Sequence, residues 1–166
     1  MSKAIEHVLV PGTFDPITLG HIDVVCRAAR IAPKVTVAVA ESADKNGSGT
    51  IFTLEERVEL AREALVEYPN VEVRSFSGLL VDFAQQIGAQ AVVKGLRAMT
   101  DFEYELQQAA LNHRLSHDLE SLFVMSNPKY GYISSSVVRQ ISSMGGDVSK
   151  FVTPNVLEAL NKKFKL

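Results

Sequence analysis

The spacing of apolar and polar positions changes period several times along the chain. Val8-Leu9-Val10, Lys34 to Ala40, Val71 to Phe76, Ala91-Val92-Val93 and Leu119 to Met125 are short apolar or β-branched runs. They predict strands, most of them buried on both faces. Between them the period lengthens. Ile22, Val25, Cys26 and Ala29 fall at i, i+3, i+4 and i+7 and predict a first helix with one apolar face. Leu54, Val58, Ala61 and Leu65 mark a second, opened by a Thr53/Glu56 capping box. Leu79 to Ile87 predicts a short helix stopped by Gly88, and Asp101 to Ser116 a long one. Ser134 opens another helix, and Thr153-Pro154 caps a terminal one. Strand–helix alternation of this kind predicts a parallel sheet with helices on both faces.

Bulk properties narrow the function classes. The 166 residues contain no repeat, low-complexity tract or linker, which predicts a single domain over 1–166. The formal net charge of −2 leaves no footprint for nucleic acid, so any anion site must be a local group of Lys and Arg. The lone Cys26 has no partner for an internal disulfide and is expected to pack in the core. Met1 to His7 has no apolar stretch and no run approaches a membrane span, so a cytoplasmic protein without a membrane partner is expected.

The candidate chemistry begins at Pro11 to His21, between the first strand and the first helix. Open α/β sheets bind ligands at such strand-to-helix loops. A helix start offers unpaired N–H groups and the positive end of the dipole to phosphate. Gly12 is expected to let the backbone turn and a ligand approach. Thr18 suits the helix cap. Gly20 leaves no side chain over the backbone, and His21 sits in the first turn facing whatever the N–H groups hold. No G-x-G-x-x-G follows the first strand and no G-x-x-x-x-G-K-[ST] is present, which argues against dinucleotide and P-loop grips.

Three further polar clusters are expected at the same sheet edge: Lys45, Lys94-Gly95-Leu96-Arg97, and Tyr130 to Ser136. Lys94 offers a point charge and Arg97 a bidentate grip on phosphate. Gly95 is expected to keep the backbone open between them. Ser134 can cap its helix, while the following N–H groups and hydroxyls donate to phosphates. Arg139, one turn on, could reach phosphate or pair on the surface. His113 and His117 have the i, i+4 spacing of zinc ligands, but lack the Glu of H-E-x-x-H and a third ligand. No metal site is expected.

Gly12-Thr13-Phe14-Asp15-Pro16 with Thr18-Leu19-Gly20-His21 resembles the signature of the T-x-G-H nucleotidyltransferases. Lys94-Gly95-Leu96-Arg97, Asp101 to Glu105 and Ser134 to Arg139 match, in order, motifs of phosphopantetheine adenylyltransferases among them. The resemblance covers nearly the whole chain. It implies an α/β, Rossmann-like, doubly wound five-stranded parallel sheet. It implies adenylyl transfer from ATP to 4′-phosphopantetheine, giving dephospho-coenzyme A and pyrophosphate. By the same resemblance Thr13, Phe14, His21, Gly95, Leu96, Arg97, Glu105 and Tyr130-Gly131-Tyr132-Ile133-Ser134-Ser135-Ser136 contact ATP. Thr13, Lys45, Leu80 and Lys94 hold the acceptor, with Lys94 standing where the family usually has Arg. His21 and Thr13 are the expected catalytic pair, acting on a direct in-line attack with no nucleophilic side chain. Mg²⁺ would arrive with ATP. A homohexamer inhibited by coenzyme A is also implied. A sister enzyme with another acceptor, such as nicotinamide mononucleotide, and a non-catalytic nucleotide sensor stay open.

Overall fold

The computed structural model describes residues 4–41, 49–97 and 99–165. Five strands form one sheet: β1 (His7–Gly12), β2 (Lys34–Ala40), β3 (Val71–Phe76), β4 (Ala91–Leu96) and β5 (Glu120–Met125). Their order is β3-β2-β1-β4-β5, and every pairing is parallel. The helices are α1 (Leu19–Ile31), α2 (Leu54–Ala64), α3 (Leu80–Ile87), α4 (Met99–Leu115), α5 (Ser135–Ser143) and α6 (Pro154–Phe164). The chain winds outward from β1 through β2 to β3, then returns to place β4 on the other side of β1. That reversal makes the β1/β4 boundary the crevice where an open sheet accepts a ligand.

The central strands are dry on both faces. Val8 and Val10 of β1, Val37 and Val39 of β2 and Val93 of β4 join the larger apolar cluster with Val25 and Val58. The residues between them, Leu9, Ala38 and Val92, join a second cluster with Val81, Phe83 and Ala84 of α3. Side chains alternate across a strand, so these two memberships are the two faces. This is the doubly wound architecture the pattern predicts. Among the described residues no helix is long and apolar enough to cross a membrane.

Several local expectations shift. In α1 the fully buried positions are Val24, Val25 and Ala28, so the inward stripe is turned by about one residue from Ile22–Val25–Cys26–Ala29. Strand β4 runs on through Lys94, Gly95 and Leu96, which are therefore strand residues rather than a loop after it. Thr153 precedes α6 but makes no cap bond; its hydroxyl donates to Asn155 Oδ1 at 2.6 Å. The Thr53/Glu56 box closes in both directions, and Gly88 ends α3 at φ +72° as a left-handed cap.

Candidate active site

The loop from β1 to α1 is built by its own side chains. Thr18 caps α1: its hydroxyl accepts from the His21 N–H at 3.4 Å. His21 answers with its ring, Nδ1 accepting from the Thr18 N–H at 3.0 Å. A histidine thus completes the reciprocal box that Glu or Gln usually closes. A backbone N–H can only donate, so Nδ1 carries no proton and Nε2 bears the hydrogen. Burial, then the nearby Arg97 charge, push the His21 pKa down from 6.5 to about 4. At neutral pH the ring is a neutral donor through Nε2.

Phe14 lies beneath this loop, buried, at φ +50°. Its ring meets His21 edge-on, centroids 5.0 Å apart. It also bears on Gly12. A Cβ at Gly12 would stand 2.9 Å from Phe14 Cζ, so the missing side chain makes room for the ring at a position that lines the cleft.

The facing wall comes from β4 and α4. Lys94 Nζ pairs with Glu105 Oε1 at 3.4 Å. Arg97 Nε pairs with Asp101 Oδ2 at 3.3 Å, and Arg97 Nη1 donates to the Ile133 carbonyl at 3.1 Å. Both expected phosphate-binding cations thus have carboxylate partners one helix away. Gly95 lines the cleft and has a second constraint: a Cβ there would lie 2.5 Å from Val24 Cγ2. The glycine lets α1 pack onto β4.

The third wall is the start of α5. Ser134 caps it, its hydroxyl accepting from the Val137 N–H at 3.2 Å. The Ser135 hydroxyl donates to the Pro16 carbonyl at 2.8 Å. The Ser134 hydroxyl is thus the cap the sequence suggested, while the Ser135 hydroxyl holds the protein together where a phosphate donor was expected. What this helix start presents to a ligand is mainly N–H groups.

These walls enclose a cleft of about 350 Å³ at the β1/β4 crevice. It brings together Thr13, Phe14, Gly20, His21, Lys94, Gly95, Arg97, Glu105, Tyr130, Ile133, Ser134, Ser135 and Ser136 from four separate segments. Leu96, Gly131 and Tyr132 do not line it. Leu96 is buried, and Tyr132 is exposed with its ring edge against Phe151. Leu80 opens α3 and packs against the second apolar cluster, away from the cleft lining. Lys45 lies outside the described residues. Among the described residues no group of three metal-ligating side chains occurs; His113 and His117 stack edge-on without a third partner.

Three charged residues stand behind the cleft, of which Arg57 was not picked out by sequence. Arg57, only 2% exposed, donates through Nη1 to the carbonyls of Thr13 at 2.7 Å and Ala40 at 2.8 Å. It ties the ends of β1 and β2. Burial pushes its guanidinium down from its ordinary value, against the Asp15 and Glu55 charges. A signal did exist: Arg57 is three after Leu54 and four before Ala61, so it falls on the apolar face of α2. Asp15 is 1% exposed and accepts from the N–H groups of Ile51 and Phe52 at 2.9 and 3.0 Å. Arg139 pairs with that Asp15 carboxylate at 3.4 Å, a buried partner where the sequence suggested a surface one.

Comparison with known proteins now bears on this cleft. The cytidylyltransferase-like family matches residues 9–141, which span every segment of the lining. The phosphopantetheine adenylyltransferase of Nitrosomonas eutropha is 52% identical over 158 residues, 95% of this chain and 94% of that one. That of Bordetella avium is 54% identical over 155 residues, 93% and 91%. The chain belongs to the phosphopantetheine adenylyltransferase family. A solved bifunctional NMN adenylyltransferase/ADP ribose pyrophosphatase from Francisella tularensis superposes with a TM-score of 0.71. The match covers 98% of this chain and 50% of that one at 14% identity, and so speaks for the fold alone. Family membership agrees with the motif order from Gly12 to Arg139, and the parallel sheet is the one it implies.

Proposed function

We propose that this chain transfers the adenylyl group of ATP to 4′-phosphopantetheine, releasing pyrophosphate and forming dephospho-coenzyme A. The observation that carries the chemistry is the reciprocal Thr18–His21 cap at the cleft wall. A phosphate oxygen of the acceptor attacks the α-phosphorus of ATP. The bond from that phosphorus to the bridging β-oxygen breaks, and its electrons leave with pyrophosphate. Negative charge grows on the α-phosphate oxygens, and the His21 Nε2–H is the donor held ready for it. A donor oriented in advance costs no reorganisation at the moment of reaction. A covalent adenylyl-histidine is disfavoured by the same geometry. It needs a free ring lone pair, and the Nδ1 pair is engaged by the Thr18 N–H.

The other groups position. Thr13 lines the same cleft as His21 and orients the acceptor and α-phosphates. Arg97 and the N–H groups at Ser134 to Ser136 take the β- and γ-phosphates, with Gly95, Glu105 and Tyr130 lining the nucleotide. Lys94 and Lys45 hold the acceptor phosphate. Glu105 is the carboxylate among the described lining residues, and Lys94 neutralises it at 3.4 Å. That donor set fits Mg²⁺ carried by the nucleotide phosphates, where it would neutralise charge on the leaving group. The proposal includes a cytoplasmic homohexamer with coenzyme A as feedback inhibitor. Support for an assembly is the apolar surface of α4, where Tyr104, Leu106, Leu111 and Leu115 are each more than half exposed.

The test is pyrophosphate release from ATP and Mg²⁺ with either 4′-phosphopantetheine or nicotinamide mononucleotide. Release with the first alone is expected. Release with the second alone would overturn the acceptor. Silence in both while ATP binds would make the protein a nucleotide sensor.

A further inference from the structure

The walls of the cleft are joined behind it, through a residue that never reaches the ligand space. Asp15 is 1% exposed and lies outside the cleft lining. Its carboxylate accepts from the N–H groups of Ile51 and Phe52, which fixes the loop onto the segment entering α2. Its Oδ2 stands 3.4 Å from Arg139 Nη1, and the same nitrogen donates to the Asp15 carbonyl. One residue on, the Pro16 carbonyl accepts from the Ser135 hydroxyl. The loop that carries His21 and the helix start that carries Ser134 to Ser136 are therefore laced together at Asp15 and Pro16. Arg139 Nη2 reaches only Ser136 Oγ, at 3.5 Å, the limit of a hydrogen bond. Its Nη1 is the nitrogen spent on Asp15.

We propose that Asp15 and Arg139 are positioning residues: the pair sets the separation between His21 and the N–H groups at the start of α5. The inference rests on the adenylyl-transfer function above. In that reaction the β- and γ-phosphates sit on one wall while the α-phosphate must meet a donor on the other. The separation of the walls then decides whether His21 is aligned. A misplacement of about 1 Å can cost roughly 10²-fold in rate. Ground-state binding of ATP, spread over many N–H groups, tolerates the same shift far better.

The experiment compares Asp15→Asn, Arg139→Gln and Arg139→Lys with wild type. Pyrophosphate release at saturating ATP, Mg²⁺ and 4′-phosphopantetheine gives kcat. Calorimetric titration with ATP gives Kd and the number of competent sites, so kcat is expressed per ATP-binding site. A merely structural role lowers the number of sites and leaves kcat per site alone. The expected result is a loss of roughly 10²-fold in kcat per site for Asp15→Asn and Arg139→Gln, with the ATP Kd within about threefold of wild type. Arg139→Lys keeps the charge opposite Asp15 and should recover to within about fivefold. The double variant should be no worse than the poorer single, since both changes break one contact.

Unchanged kcat per site in both neutral variants would overturn the inference. So would a kcat loss matched by an equal loss of ATP affinity. If Arg139→Gln alone weakened ATP tenfold and Asp15→Asn did not, Arg139 would be a triphosphate ligand. If Asp15→Asn fails to fold, the contrast between Arg139→Gln and Arg139→Lys decides, because Arg139 is partly exposed. Wild-type silence with 4′-phosphopantetheine would bring down the proposed function and this inference with it. An active wild type with unaffected variants would bring down the inference alone.

Discussion

The two long walls of the cleft treat charge in opposite ways. On the α1 side the working group is uncharged, and the hydrogen bonds that orient it are made before any ligand arrives. On the β4–α4 side each cation is already neutralised, Lys94 by Glu105 and Arg97 by Asp101. The first wall has nothing to rearrange and suits transition-state stabilisation. The second must exchange a carboxylate for a phosphate, so part of its attraction is cancelled in advance and it suits reversible binding. Damage to the α1 wall should therefore appear in kcat, and damage to the β4 wall in affinity.

The largest effect is expected at the first wall. His21→Ala should lower kcat roughly 10²–10³-fold while ATP affinity stays near wild type. Single-turnover kinetics beside calorimetry check this; a collapse of ATP affinity would erase the contrast between the walls. Next is the pH dependence of stability. The His21 pKa is about 4 in the fold against 6.5 in its absence, so the unfolded chain binds more protons between these values. His21 therefore favours the fold above pH 6.5, and that contribution is lost as pH falls toward 4, about 3 kcal/mol at most. Urea unfolding of wild type and His21→Ala between pH 7 and 4 should show the steeper fall in wild type. His7 is lowered in the same direction, by burial and then Lys34, and contributes equally to both. Turnover between pH 5.5 and 8 should carry no inflection from His21.

A third test strikes where the walls meet. Gly95→Ala should cost about 1–3 kcal/mol of stability, because the new methyl overlaps Val24. Adding Val24→Ala should recover part of it, read by thermal unfolding. The smallest effect belongs to the paired wall. Arg97→Ala should weaken ATP about tenfold, a single charge-assisted contact reduced by the Asp101 pair it replaces. A loss in kcat without a loss in affinity would mean the β4 wall acts on the transition state as well.

What could be seen in the sequence depended on how far apart the partners are. The alternation of Val8, Leu9 and Val10 gave both faces of the sheet, and the caps at Thr18, Thr53 and Ser134 lie three residues from the groups they satisfy. The lacing behind the cleft spans far longer distances. Arg57 meets Thr13 across 44 positions, and Arg139 meets Asp15 across 124. No local pattern reports such a pairing. Glycines were legible as gaps but not as gaps for a particular occupant: Gly12 and Gly95 make room for Phe14 and Val24. The cations at Lys94 and Arg97 were legible as charges. Their neutralisation depended on α4 presenting Glu105 and Asp101 to the strand, which is a tertiary fact. Tyr132 belonged to the expected nucleotide site by its neighbours in sequence, yet its ring turns to Phe151.

The Thr18 cap also decides how His21 would meet a chemical probe. Acylating and alkylating reagents attack the unprotonated nitrogen of an imidazole. In His21 that atom is the hydrogen-bonded Nδ1, tied to the first turn of α1. Labelling it means first opening the helix start. A histidine in a cleft would then stay unmodified while exposed His113 and His117 react, and mass spectrometry would record protection with no ligand bound. Inhibitors designed to capture this histidine covalently would be misdirected; compounds that accept from its Nε2–H fit the chemistry it offers.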